Sequence, residues 1–289
     1  LWIYRVCRPD IGQQVSALGG RISCWNSDCE EQLECLVGYL KETSGERLEF
    51  AWPVAVQGKV KEGDVVGELH TDADHRGGDK SQSSFVAWVR HKDYDQGGMC
   101  SHWMSKKQTV AADAVSAAEI VAAHLAFKEG LWTLMSLLIA LDLNPHTVVL
   151  RADNTVCLNH ISGRPTDTVY FALKAVDARG AFLTDMYNCG FFQTSHVESH
   201  YNRSDVGTKV PGSVVVQEWF RTLVGLLPHR DTLWNKRLQA IRNVYGPAPA
   251  ELKTIPPDVL AEIRGYASQL MRSIHERDRE LGRAFLARL

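Results

Sequence analysis

Four acidic residues, Asp72, Glu119, Asp153 and Asp205, fall at the ends of expected elements, and that placement gives them chemical interest. Asp72 closes a β-rich run, Glu119 opens a long helical region, Asp153 follows a second β-branched run, and Asp205 sits near a short helix. Brought together, four carboxylates repel one another and are driven towards protonation. A divalent cation reverses that preference. Mg²⁺ takes hard oxygen ligands and is usually held by one or two carboxylates together with water and substrate phosphate. Two such ions roughly 3.5–4 Å apart stabilise the attacking and leaving oxygens of an in-line displacement at phosphorus. Each acid also has a plain structural role open to it. Asp72 and Asp74 precede Gly77-Gly78 and could form a turn. Ser116 and Glu119 fit a capping box, and Asp153-Asn154 could cap the helix that follows. Asp205 could be a solvated acid in an early helical turn.

The elements that would have to position these acids can be read from periodicity and turn signals. Residues 1–55 read as largely helical, with a helix end near Gly45, followed by a polar, glycine-bearing linker from Gln57 to Gly63. Val65 to Asp72 is a strand candidate; Ser84 to Arg90 alternates and is β-rich, and Gly97 to Met104 follows a turn at Asp95-Gln96-Gly97-Gly98. These three runs predict an antiparallel meander. A long Ala- and Leu-rich helix is expected from Asp113 to Leu143, bent at Gly130. Thr147 to Ala152 reads as a buried strand, followed by helices over Asn154–Ile161 and Tyr170–Arg179, a last strand over Phe191–Val197 and a short helix from Asn202 to Thr208. Three antiparallel strands followed by strands alternating with helices describe an α/β fold, a mixed sheet with helices on its faces. The expected division is a helical segment over 1–60, the sheet domain over 64–212 and a helical extension over 213–289. In that extension Pro256-Pro257-Asp258 precedes an amphipathic pattern, with twelve Lys and Arg against eight Asp and Glu.

Composition narrows the setting without fixing the chemistry. Across 289 residues, 45% apolar and 23% charged content are those of a globular chain with a sizeable core. Lys and Arg total 32 against 34 Asp and Glu, so nucleic-acid contact would depend on local patches, not on the overall field. The seven cysteines form no C-x-x-C pair, which argues against a zinc knuckle and for reduced thiols inside the cell, in cytoplasm or nucleus. The longest apolar stretch, Leu131 to Leu143, is interrupted and too short to cross a bilayer, so no membrane partner is expected. The chain begins at Leu1 in mid-pattern and is expected to be a fragment, a processed product or the product of a truncated gene.

A family resemblance adds to this. Trp103 to Gln108, running on to Ala118-Glu119, resembles the "SW-SKKQ…AE" signature of ribonuclease H from copia-type LTR retrotransposons. Thr71-Asp72-Ala73-Asp74 is similar to the family's "SDAD", Lys80 to Val86 to its "KSTSGYV", and Lys128 to Trp132 to its "KEALW". Ala152-Asp153-Asn154 resembles "CDN", and Ser204 to Lys209 resembles "ADILTK". Upstream, Arg8 to Ile11 and Gly38 to Lys41 resemble the "RPDI" and "YLK" that follow the polymerase palm in the same polyprotein. The likeness runs from about residue 4 to residue 212. Two segments depart from it: the stretch after Asp74 is shorter, and Thr166 to Phe171 lacks the family's histidines. The chain also has no Tyr-x-Asp-Asp polymerase motif.

The resemblance implies a ribonuclease H-like fold and an endonuclease that hydrolyses the RNA strand of RNA–DNA hybrids. It places two Mg²⁺ ions, or Mn²⁺ as substitute, on Asp72, Glu119, Asp153 and Asp205. Asp72 would be shared, with Glu119 and Asp153 on one side and Asp205 on the other. It further implies a loop histidine before the last carboxylate, for which His200 is the candidate, with a solvated loop residue as the plain alternative. Recognition would fall on phosphates and 2′-hydroxyls, with Asn154, Lys106, Lys107 and Gln108 as strand contacts. The polymerase part of a reverse transcriptase is the expected protein partner. A catalytically silent scaffold of the same fold, a domesticated interaction protein using the helical tail, and an integrase-type core remain the alternatives.

Overall fold

The computed structural model describes residues 1–48, 60–61, 63–75, 80–93, 98–144, 148–164, 177–211 and 214–228. All the described residues belong to one compact unit. The N-terminal segment folds as α1 (Trp2–Cys7), α2 (Gly12–Gly19) and α3 (Ser27–Glu42), then a short strand β1 (Glu46–Leu48). Helix α3 starts where Asn26 accepts the Cys29 amide at 3.0 Å, with Asp28 and Glu30 in its first turn and Lys41 in its last. Those charges sit where the helix dipole favours them.

Next come β2 (Val65–Asp74), β3 (Gln82–His91) and β4 (Met99–Lys107), the expected antiparallel meander with each strand somewhat longer than its pattern suggested. The long helical region is α4 (Val115–Ala126), a wide π-type turn over Phe127–Leu131, and α5 (Trp132–Ala140). Within that turn the close approach requires glycine: a Cβ at Gly130 would stand 2.8 Å from the Phe85 ring and 3.0 Å from Leu69. Strand β5 (Val148–Ala152), α6 (Thr155–Ile161), α7 (Asp177–Asn188) and β6 (Gln193–His196) complete the sheet. Two 3-10 turns, Ser199–Tyr201 and Arg203–Gly207, lead to α8 (Val214–Leu223) and β7 (Leu226–Pro228).

The main sheet has the order β4-β3-β2-β5-β6; β3 is antiparallel to both β2 and β4, β5 is parallel to β2, and β6 is parallel to β5. This is the α/β class expected from the sequence: a five-stranded mixed sheet flanked by helices. Alternate residues of its strands feed two cores. Val65, Leu69, Ala73, Ala87 and Val89 pack with Ile120, Phe127, Leu131 and Leu134 from the α4–α5 side. The alanines of α4, among them Ala118, Ala122 and Ala123, are fully buried and let the helix lie close on the sheet. Val86 and Trp88, between those positions, join a second core with Tyr4, Ile11, Leu18, Leu36, Trp103, Phe220 and Leu226. The N-terminal helices and residues 214–228 therefore share one apolar cluster with the far face of the sheet. Strand β7 pairs antiparallel with β1, a contact across the chain that neither short segment announced.

Other expectations move or fall outside view. The helix expected over Tyr170–Arg179 lies mostly outside the described residues, and the helix seen starts at Asp177 and runs on to Asn188. The last strand is shorter than Phe191–Val197, and the Asn202–Thr208 helix is a 3-10 turn capped by Asn202. Most of the Gln57–Gly63 linker and the whole amphipathic pattern after Pro256 lie outside the described residues. Among the described residues no helix is long and apolar enough to cross a membrane.

Candidate metal centre

Parallel pairing of β2 with β5 sets His70 opposite Arg151. Asp72 and Asp153 each lie two residues beyond that pair, so the register alone brings them side by side. Asp205 arrives from the Arg203–Gly207 turn, which is tied to β2 by a fully buried side chain. The Asn202 Nδ2 donates to the Thr71 carbonyl at 3.0 Å, and its Oδ1 accepts from the Ser204 hydroxyl at 2.6 Å. A carboxylate oxygen from each of Asp72, Asp153 and Asp205 lies within 4.8 Å of the other two. Asp72 and Asp205 are buried and Asp153 half-buried. Such a triad from three separate elements has the donor chemistry for a hard divalent cation.

Glu119 stands beside this group, in the second turn of α4, and is not one of the three that converge. It is nonetheless part of the same electrostatic unit. Burial, then the charges of Asp72 and Asp153, push its carboxyl well above the ordinary range, while the Ala73 backbone offers it a hydrogen bond. Asp205 is raised to about 7, first by burial and then by Asp72, in spite of Lys209. Asp72 is raised by burial, with Lys209 and the Thr208 hydroxyl working against that shift. The Glu119 Oε2 and the Asp205 Oδ1 are buried and have no hydrogen-bond partner among the described residues. Buried acceptors of that kind are costly unless a cation or water satisfies them. Three converging acids and two orphaned carboxylate oxygens fit a divalent metal.

The structural roles that each acid could have played are taken by other residues. The N-cap of α4 is Ala114, without a side-chain cap, so Ser116 and Glu119 do not form a capping box. Asn154, not Asp153, caps α6 by accepting the Cys157 amide at 2.9 Å. Asp153 instead accepts the Ser199 hydroxyl at 2.6 Å. Asp72 lies within β2, not in a turn, and Asp205 is 5% exposed, not solvated.

No family model matches this chain. Among solved structures, a ribonuclease H1 isolated from compost by a metagenomic approach aligns over 48% of this chain and 90% of its own length. The identity is 16% and the TM-score 0.34. The same compost enzyme in complex with an RNA/DNA hybrid aligns over 49% of this chain and 92% of its own, at 14% identity and a TM-score of 0.30. A foamy viral protease-reverse transcriptase in complex with an RNA/DNA hybrid aligns over 47% of this chain but 17% of its own length, at 11% identity and a TM-score of 0.30.

The expected strand contacts divide. Lys106 and Lys107 are exposed at the end of β4, and Lys106 pairs in register with Ser83, next to the Ser84 that faces Asp72. They therefore flank the acids at the same end of the sheet. Gln108 does not serve as a surface contact. It is buried, its Nε2 donating to the Ser83 Oγ at 2.8 Å and the Ala118 carbonyl at 2.9 Å. Its role is to pin the start of α4, and so Glu119, to β3. Asn154 is engaged as the α6 cap. His200 is exposed, with its ring against Tyr201 and its Nε2 3.5 Å from Glu198. Its loop touches the site through Ser199.

Sequence reasoning assigned no role to Ser199, Thr208 or Lys209. The Thr208 hydroxyl donates to the Asp72 Oδ2, and the Lys209 Nζ lies 2.5 Å from the Asp205 Oδ2. Spacing offered one signal: Asp205 and Lys209 are four apart, within reach of each other on a helical turn. Beneath the acids, Glu68 is buried and accepts from Arg90 at 2.8 Å and Arg151 at 2.7 Å, with His70 Nε2 at 3.2 Å. His70, Arg90 and Arg151 thus bind three adjacent strands through one carboxylate. Burial would raise Glu68, but His70 and Arg90 outweigh it and hold it far below the usual carboxylate range. A buried charge satisfied on this scale is strongly destabilising to break.

Proposed function

We propose that this chain is a ribonuclease H-type endonuclease that hydrolyses the RNA strand of RNA–DNA hybrids, derived from a copia-type retrotransposon polyprotein. The observation that carries the reading is the convergence of Asp72, Asp153 and Asp205 from three separate elements, with the buried Glu119 alongside. The order of motifs from Thr71 to Lys209 supports it. Two Mg²⁺ ions, or Mn²⁺ in their place, would supply the activation of water and the neutralisation of the departing 3′ oxygen.

The residues themselves do the binding and orienting. Asp72, Asp153 and Asp205 hold the ions, and Glu119 completes the set. Thr208 and Ser199 fix the carboxylate planes of Asp72 and Asp153 through their hydroxyls. Lys106 and Lys107 offer positive charge to strand phosphates, and contacts of this kind position a duplex without reading its sequence. His200, on the loop that carries Ser199, would move a proton or assist product release. The polymerase part of a reverse transcriptase is the partner this reading implies, and the interior of the cell the compartment.

One observation favours a second reading, a silent scaffold of the same fold: the Lys209 ammonium already faces the acids. A strand-resolved assay separates the two. An RNA–DNA hybrid labelled on either strand should be cut in the RNA strand alone, in Mg²⁺ or Mn²⁺, leaving 3′-hydroxyl and 5′-phosphate ends. Asp72→Asn and Asp153→Asn should each abolish the cut while circular dichroism stays native. A hybrid left whole by the wild-type chain in both metals supports the scaffold.

A further inference from the structure

Thr208 and Lys209 close over the carboxylates as a consecutive pair. The Thr208 hydroxyl takes the Asp72 Oδ2 and the Lys209 ammonium takes the Asp205 Oδ2, and the backbone amide of Lys209 is anchored on the Asp205 carbonyl at 2.9 Å. Asp205 Oδ1 and Glu119 Oε2 stay buried without a partner among the described residues. The cluster therefore holds one built-in cation and unspent acceptors. The stem of Lys209 is not locked in: its side chain is 46% exposed, whereas that of Asp205 is 8% exposed. Its attraction to the site extends beyond Asp205. Burial would weaken its proton affinity, but Asp72, then Asp205 and Asp153, outweigh burial and strengthen it.

We propose that Lys209 is a resident counter-cation that competes with divalent metal for the Asp205 carboxylate and swings out to solvent when metal binds. This rests on the metal-centre reading above. A single positive charge on a flexible four-carbon stem screens the acids when metal is scarce, and a doubly charged ion with hard-oxygen preference displaces it. The consequence is a metal affinity set below what the acids alone would give. Lys209 is a positioning residue here, since it acts through Asp205.

The test is Mn²⁺ binding to the full chain, measured by calorimetry, for wild type, Lys209→Gln and Lys209→Arg. Lys209→Gln should bind Mn²⁺ about two- to fivefold more tightly, the effect of losing one partly solvated ion pair. It should also melt at a lower temperature than wild type in a chelator, and Lys209→Arg should stay closer to wild type in both respects. The wild-type chain gives an independent readout: amine-directed labelling of Lys209 should increase when Mg²⁺ is added. Equal or weaker Mn²⁺ binding by Lys209→Gln, or labelling that does not respond to Mg²⁺, overturns the proposal while leaving the metal centre standing. Absence of Mn²⁺ binding by every form overturns both.

Discussion

At the scale of single residues, the account depends on carboxylates held where they ionise reluctantly. Asp205 is raised from 3.8 to about 7, and Glu119 and Asp72 move the same way, with burial the leading cause in each case. An acid raised in the folded state favours the protonated protein. Its contribution to stability is full below the unfolded value and is lost as pH rises through the folded one. In a chelator, thermal stability should therefore fall between about pH 5 and about pH 8 as these groups ionise. Divalent metal should reverse the trend. The gain in melting temperature on adding Mg²⁺ should be small at the acidic end and grow towards the alkaline end. A gain that is flat across that range would mean that the ions bind elsewhere. The family resemblance singles out all four acids in the sequence, and the structure brings Asp72, Asp153 and Asp205 together with Glu119 alongside. The roles of Ser199, Thr208 and Lys209 were not legible there, because their hydrogen bonds to Asp153, Asp72 and Asp205 span the fold or depend on how one turn is closed.

At the scale of elements, β-rich runs and turn residues point to the three-stranded meander and the later strands, and the structure shows both in one mixed sheet. What alternation could not reveal was the use made of polar residues inside elements. Gln108 is expected from the sequence as a nucleic-acid strand contact, yet it is buried and bonded to both Ser83 and Ala118. It joins β3 to the helix that carries Glu119. Gln108→Leu, similar in volume, removes the bonds to Ser83 and Ala118 and should cost about 1 kcal/mol, since a hydrogen bond contributes about 0.5–1.5 kcal/mol net. Chemical denaturation checks this, with a lower midpoint and an unchanged slope expected. Lys106→Ala, two residues away and exposed, should leave the midpoint within about 0.5 kcal/mol of wild type while weakening hybrid binding. If both substitutions leave stability alone, Gln108 does not pin α4. Gly130 makes the same point: its conspicuous place in a helical run pointed to a bend, but the close approach of Phe85 and Leu69 that requires glycine there is a tertiary fact.

At the scale of the whole molecule, the sheet has a core on each face, and the second is built largely by residues outside its own strands. Tyr4, Ile11, Leu18 and Leu36 come from the N-terminal helices, and Phe220, Leu223 and Leu226 from the segment after the last acid. The Trp103 indole donates to the Tyr4 carbonyl at 2.7 Å, and the Arg203 guanidinium stacks 3.8 Å over Trp88. Removal of residues 1–45 should therefore expose Val86, Trp88 and Trp103 and yield an aggregating product that binds a hydrophobic dye. A soluble, cooperatively folding remainder would contradict that expectation. This packing was not legible beforehand, because the continuous apolar run Phe85–Val89 of β3 shows that both faces are apolar without saying what covers each. The pairing of β1 with β7 was hidden for a related reason, both runs being three residues long.

The most direct test of the central claim is a Mn²⁺ titration at mildly alkaline pH, comparing the wild-type chain with Asp72→Asn. Saturable binding by wild type that disappears in the variant, without loss of the folded far-ultraviolet spectrum, is the predicted result. Equal uptake by the two proteins, or none by wild type, would contradict the assignment of this carboxylate cluster as a metal centre.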